Sequence, residues 1–372
     1  MLHNSLKSYM EASKSLKYYL NEIQYLRSVS NDFLKDADSV PEFDIKNILV
    51  SKLKNHRDTR FKQFEYSSII ISMYGNLERY IEDVLAEVLD VYSKNIKAYN
   101  DLPEVIQDNH FKLSAELIKN LDLPKYINKV SVNSIIANMN SCLDNDKYKI
   151  NIEAFTHHTA NFRIETIDNY FSNIGIKGIK VSVQEDIYFK KYCVSIDEEV
   201  TSFSILKELT NRRNEIAHGA ENIEILDLSI LNDYIEYIDQ LVLAINTSLI
   251  IKMIILLSDD MNLLKLKLLS EKGPIVFGSS VRGCFVKNKK LKKGMKILLK
   301  NRSEYSIAKI ENIRIEEKDV EEYEFKENLT EASIKFDRNL KEQTQIFILP
   351  SENSDSFEQL NKYEGTNTSV LV

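Results

Sequence analysis

The stretch Arg212-Arg213-Asn214-Glu215-Ile216-Ala217-His218-Gly219 sets a guanidinium, an amide and an imidazole close together. Those groups can cleave RNA without a metal, because RNA carries a 2′-hydroxyl beside its scissile phosphate. An imidazole, with an ordinary pKa near ~6.5, exchanges protons at neutral pH and contributes on the order of 10² to 10⁴ in rate. In this reading His218 moves the proton and Arg213 holds the phosphate bidentately as charge develops. Asn214 orients the imidazole or binds a phosphate oxygen. The expected products end in 2′,3′-cyclic phosphate.

These groups need a helix to position them. Ile205, Leu206, Leu209 and Ile216 recur at helical spacing, and Gly219 stands where a left-handed cap would close the helix. Asn214 and His218, four apart, share a face, while Arg213 lies roughly 140° round from His218. One helix therefore gives a loose cluster. A two-fold dimer would tighten it by letting Arg213 face His218 of the partner subunit. A plainer reading stays open, in which His218 bonds the last free carbonyls at the negative end of the helix and Arg212 and Arg213 are solvated.

The rest of the chain supports a helical frame. Nine Gly and five Pro in 372 residues are too few for a loop-rich or all-β protein. Helices are predicted over 4–36, 58–95, 102–120, 131–143 and 155–173, then through the Arg213 segment and two more stretches to about 268. The clearest is 58–95, where Ile69, Ile70, Met73, Leu77, Tyr80, Ile81, Val84, Leu85 and Val88 fall three or four apart. Glycines and alternation over 175–195 suggest a loop or small hairpin.

Ser270-Glu271-Lys272-Gly273-Pro274 marks a composition change. The expected domains are an all-α domain over 1–270, a small β-barrel over 275–350 and a disordered polar tail over 351–372. The fold class is thus α+β in separate domains. Barrel strands are expected near 275–277, 284–286, 295–299, 307–315, 332–336 and 346–349.

From Lys272 to Arg302 there are ten basic residues and no acidic one, although the chain carries a net charge of −7. Lys287, Lys289, Lys290, Lys292, Lys293 and Lys296 could hold RNA phosphates with salt-sensitive affinity. The same lysines could instead form a solvated hairpin balanced by Glu316, Glu317, Asp319, Glu321, Glu322 and Glu324.

Other classes find little support. HExxH, GxxxxGK[ST], GxSxG and GxGxxG motifs are lacking, and Gly175-Ile176-Lys177-Gly178 is too short for a phosphate loop. Cys142, Cys193 and Cys284 form no CxxC pair, which points to a reducing compartment and no metal site. His157 and His158 have no metal spacing and are read as surface or capping residues; His3, His56 and His110 are isolated. The N-terminus lacks the apolar core of a signal peptide, so a cytoplasmic location is expected. Leu241 to Leu257 is apolar but interrupted by Asn246, Thr247, Ser248 and Lys252, and reads as a buried or dimer-facing helix rather than a membrane span.

Three segments carry a resemblance. Arg213 to His218 matches the Arg-x4-6-His motif of the HEPN superfamily. Tyr74-Gly75-Asn76-Leu77-Glu78-Arg79-Tyr80-Ile81-Glu82 resembles its earlier long helix, and Thr159-Ala160-Asn161-Phe162-Arg163-Ile164-Glu165-Thr166-Ile167 with Ile174-Gly175-Ile176 its middle segment. The likeness covers 58–245 and is nearest the RiboL-PSP and MAE-28990-like branches. It implies an all-α domain that dimerises with its motifs facing one cleft, and in many members a cofactor-free, metal-independent endoribonuclease. Toxin or antiviral defence roles follow from the family, as does a neutralising or regulatory protein partner. A catalytically silent dimer serving as an RNA-binding or protein scaffold is the alternative. Glu78 and Arg212 would support Arg213 from behind; Glu78 could instead be an exposed residue or a structural partner for an arginine. Residues 280–350 resemble the second-domain barrel of translation GTPases such as elongation factor Tu, through Leu291 to Leu299, Ala308 to Ile313 and Glu331 to Phe336. That likeness suggests a module presenting tRNA, another structured RNA or a sensing partner.

Overall fold

A computed structural model describes residues 2, 4–36, 59–144, 147–157, 161–196, 203–219, 224–261, 265–302 and 304–349. The expected tail and His3, His56 and His158 lie outside the described residues. Contacts divide the chain into two units, Leu2–Ser248 and a second beginning at Leu249.

The first unit is helical. Its frame is the pair α1 (Asn4–Asp36) and α2 (Thr59–Asn95), which run antiparallel, Ser5 bonding Glu87 near one end and Arg27 pairing with Glu65 near the other. The three-to-four spacing in α2 is a buried stripe: Ile69, Ile70, Leu77, Ile81, Val84 and Val88 are fully enclosed. Each Leu or Ile so covered contributes on the order of 1.5–3 kcal/mol. Shorter helices follow at Glu104–Lys119 (α3), Val132–Ser141 (α4), Ile152–Thr156 (α5), Ile164–Ser172 (α6), Ile179–Glu185 (α7), Ile187–Ile196 (α8) and Ser204–Ala217 (α9). α1, α5 and α9 all pack on α2.

Two helical expectations are corrected. The segment 175–195 forms α7 and α8 rather than a hairpin, because Ile179 and Val183, then Phe189 and Cys193, are buried four residues apart. Gly178, with φ +72°, makes the left-handed turn that opens α7. The two stretches after α9 are one long helix, α10 (Leu228–Ile255), continued by a π-turn at Leu256–Asp260. Among the described residues Leu228–Ser258 is long and apolar enough to cross a membrane by composition. Within the first unit, however, Leu231, Ile238, Leu241, Val242 and Ile245 are buried, and Asp239 accepts hydrogen bonds from Tyr9 and Ser13 of α1 while pairing with Lys17.

The second unit carries an antiparallel half-barrel. Its strands are β1 (Lys267–Leu268), β2 (Ile275–Val276), β3 (Val281–Val286), β4 (Lys289–Lys292), β5 (Lys296–Asn301), β6 (Glu304–Ile315), β7 (Lys318–Val320), β8 (Glu322–Phe325), β9 (Thr330–Phe336) and β10 (Gln345–Ile348). Eight of them follow the order β1-β10-β5-β6-β9-β3-β2 with β7 on β6, while β4 and β8 pair separately. The register sets Leu298 opposite Ile307 and Ile313 opposite Ile334, with an irregularity between Ile310 and Asn312. The segment after β1 bridges the ends of the path: Leu269 N–H donates to Ile346 O and Glu271 N–H to Phe285 O. Cys284, Val286, Ile297, Ala308, Ile334 and Phe336 fill the interior. All six expected strands are present; the additional β1, β4, β7 and β8 are short and mostly exposed.

Candidate active site

α9 is anchored by Ile205, Leu206 and Leu209, and by Thr210, whose hydroxyl donates to Leu206 O at 2.8 Å. His218 is the residue after its last turn, its N–H donating to Asn214 O at 2.9 Å. Gly219 follows with φ +70°, a backbone that a side chain would strain, and its N–H donates to Ile216 O.

Arg213 is half-buried at the meeting point of three segments. Its guanidinium carbon lies 5.1 Å from the centre of the Tyr74 ring on α2. Its Nη1 donates to Asn214 Oδ1 at 3.2 Å and to Asn161 Oδ1, in the segment before α6, at 3.4 Å. A cation over an aromatic face is attracted by the ring quadrupole. The ring is itself fixed, since Tyr74 is buried and its hydroxyl accepts from Phe162 N–H at 2.7 Å. Burial pushes the Tyr74 phenol well above its ordinary pKa, and the Glu78 carboxylate that accepts its hydrogen bond adds to the effect. Tyr74 is therefore a neutral phenol under a permanently charged guanidinium.

Glu78 thus bonds Tyr74, one turn before it on α2, and Tyr74 in turn lies under Arg213. Asn214 gives its side-chain oxygen to Arg213 rather than to His218. Arg212 is a tie: Nε and Nη2 donate to Glu208 at 2.8 and 2.7 Å, and Nη1 donates to Tyr66 of α2 at 3.0 Å and to Glu224 O at 3.1 Å. Burial works against the Arg212 charge, and Glu208 and Tyr66 outweigh it, holding its pKa above the ordinary range. His218 is exposed at the helix end. Among the described residues, amides and an aromatic face hold Arg213, and no carboxylate pairs with it. Its charge is available to an anion.

The family profile described as RiboL-PSP-HEPN matches residues 42–250, more than half of the chain. This chain belongs to the RiboL-PSP-HEPN family. No curated protein matches it. One solved structure, the C-terminal domain of a Geobacillus thermoleovorans protein named as a U32 peptidase, is similar at 18% identity over 22% of this chain and 96% of that chain, with a TM-score of 0.17.

In this RiboL-PSP-HEPN chain the motif histidine and arginine sit on one helix end, and the middle segment reaches the arginine through Asn161. Tyr74 and Asn161 lie inside the segments that carry the family likeness, but neither spacing nor residue type marks them as site residues. Only the approach of α2 and the 161–163 segment to α9 does so. His157 is structural, its Nδ1 2.7 Å from the Tyr126 hydroxyl. Among the described residues no cluster of three His, Cys, Asp or Glu is placed to hold a metal.

The six lysines of the half-barrel are for the most part engaged. Lys289 pairs with Glu271, Lys290 and Lys292 with Glu322, and Lys293 with Glu321, at 2.5, 2.7, 4.0 and 3.0 Å. Lys296 is buried and Lys287 half-buried. The antiparallel pairing of β4 with β8 sets Lys290 opposite Glu324 and Lys292 opposite Glu322, so the basic run is charge-balanced across the ladder.

Proposed function

We propose that this chain is a metal-independent endoribonuclease that works as a homodimer and acts as a toxin or antiviral defence effector in the cytoplasm. The observation that carries the reading is Arg213, a cation on a fixed aromatic platform, ringed by amides, five residues before an exposed histidine.

Arg213 binds the scissile phosphate and stabilises the charge that builds on its oxygens. An imidazole at His218 removes the 2′-hydroxyl proton, the 2′-oxygen attacks phosphorus, and the 5′-oxygen leaves after receiving a proton. The products are a 2′,3′-cyclic phosphate and a 5′-hydroxyl. One imidazole cannot be base and acid at the same instant. It takes the two roles in turn, accepting the 2′ proton as the cyclic bond forms and giving a proton to the 5′-oxygen as that departs, while Arg213 of the partner subunit holds the phosphate across a two-fold axis.

The charge balance of the β4–β8 ladder favours assigning RNA binding to the helical unit, with the lysines of the half-barrel as a minor contact to RNA, tRNA included, or to a regulatory protein. A second reading, a silent HEPN dimer serving as an RNA-binding or protein scaffold, is favoured by one fact. Among the described residues no hydrogen bond orients the His218 ring.

The deciding experiment is incubation of total cellular RNA with the purified protein in excess EDTA, beside His218→Ala and Arg213→Ala, with the fragment ends mapped. Cleavage by the wild type alone with cyclic-phosphate ends is expected. Fragments with 3′-hydroxyl and 5′-phosphate ends, or equal cleavage by His218→Ala, would refute the mechanism. Loss of cleavage in all three proteins with RNA affinity retained would establish the scaffold.

A further inference from the structure

Arg213 is not the only donor at this meeting point of α2, α9 and the segment before α6. A guanidinium is a pure donor, so the amides of Asn161 and Asn214 that meet its Nη1 at 3.4 and 3.2 Å must both present their oxygens to it. Each then directs its Nδ2 amide away from Nη1, and among the described residues neither Nδ2 meets a protein acceptor. The same holds for the N–H groups on Arg213 Nη2 and Nε. The outcome is a set of N–H donors around one cation that, among the described residues, has no anion paired to it.

Asn161 is held in place by the two residues that follow it. The next residue, Phe162, is fully buried and donates its N–H to Tyr74 at 2.7 Å. The one after, Arg163, donates from Nη2 to Asn211 Oδ1 on α9 at 3.0 Å. The segment is therefore pinned to α2 and to α9 within two residues of the amide, so its ordering cost is met on folding rather than on binding. Donors fixed before an anion arrives bind it more strongly than donors that must be gathered.

Resting on the endoribonuclease reading above, we propose that Asn161 is a phosphate-binding residue of the site, its side-chain amide donating to a non-bridging oxygen of the phosphate that Arg213 holds. Its bond to Arg213 fixes the direction of that amide. The occupant is an RNA phosphodiester.

The test uses the full chain and a single-stranded RNA methylated at every 2′-oxygen, which cannot be cut by internal attack. Affinity is measured by fluorescence anisotropy over a range of KCl for the wild type, Asn161→Ala, Asn161→Asp and Arg213→Ala. A lost hydrogen bond to a charged group weakens binding about tenfold or more. Asn161→Ala removes no charge, so it should weaken binding about tenfold at every salt concentration while the slope of log K against log salt stays that of the wild type. Arg213→Ala removes one phosphate contact and should flatten that slope by about 0.7. Asn161→Asp keeps the side-chain volume and the acceptor facing Arg213 but has no donor, and it too should bind weakly.

Wild-type affinity in both Asn161 variants, with Arg213→Ala weakened, overturns the assignment and leaves the nuclease reading standing. A slope flattened by Asn161→Ala as it is by Arg213→Ala also overturns it, because Asn161 would then act only through the arginine. Equal binding by wild type and Arg213→Ala removes the site as an RNA grip, and both readings fall together.

Discussion

At the scale of single residues, burial settles what a side chain can do. His110 is fully enclosed; its Nε2 accepts from Asn151 N–H at 2.9 Å, so Nδ1 carries the proton, beside the Tyr99 hydroxyl and Cys142 Sγ. Burial drives its pKa down to about 4, against an ordinary value of 6.5. The unfolded chain therefore binds a proton that the folded chain refuses as the pH falls through 6.5 toward 4, and stability declines over that window. From this group alone the fold should be about 2 kcal/mol weaker at pH 5 than at pH 7. His110→Gln, which keeps an acceptor for Asn151, should flatten that dependence in urea unfolding at the two pH values. An unchanged dependence in the variant would place the acid sensitivity elsewhere. Sequence marks His110 only as an isolated histidine, since its partners stand 11, 32 and 41 residues away. His218 is the opposite case. It is legible from its neighbours because a helix end is a local event, announced by Gly219.

Among elements, α9 shows why a motif needs a frame. Arg212 joins it to α2 through Tyr66, which is 1% exposed, and to the following segment through Glu224 O. Replacing Arg212 with Ala strands the buried Tyr66 hydroxyl and takes from Glu208 its guanidinium partner, at a cost of about 1–3 kcal/mol. The expected result is a lower melting temperature with the salt dependence of RNA binding kept at the wild-type slope. A flattened slope would make Arg212 a phosphate contact. The long helices were readable because each buries one stripe and exposes the rest, which imposes a period of three to four. α7 and α8 were not: at seven and ten residues they are too short for that period to outweigh the glycines before them. The strands β4, β7 and β8 escaped for a related reason. Mostly exposed, charged and only three or four residues long, they are too short for a period of two to register, even in β8 where Glu322 and Glu324 alternate with Tyr323 and Phe325.

For the whole molecule, the proposed chemistry depends on a second copy. If Arg213 works with His218 of the partner subunit, neither Arg213→Ala nor His218→Ala cleaves RNA alone, but unfolding and refolding them together should restore partial cleavage. One of the two sites in each mixed dimer would then hold both native side chains. Mixtures that stay inactive while forming dimers would place both groups in one protomer. The sequence by itself determined the two-part architecture, a helical unit and then a strand-rich one, because periodicity and composition are written along the chain. It also determined the motif on α9 and the family that the motif signals. Tertiary structure decided the rest: that Tyr74 underlies Arg213, that Asn161 reaches it from 52 residues away, and that Glu271, Glu321 and Glu322 occupy the lysines of the half-barrel. Such contacts depend on which surfaces meet when helices and strands bury their apolar faces, and no local pattern records them.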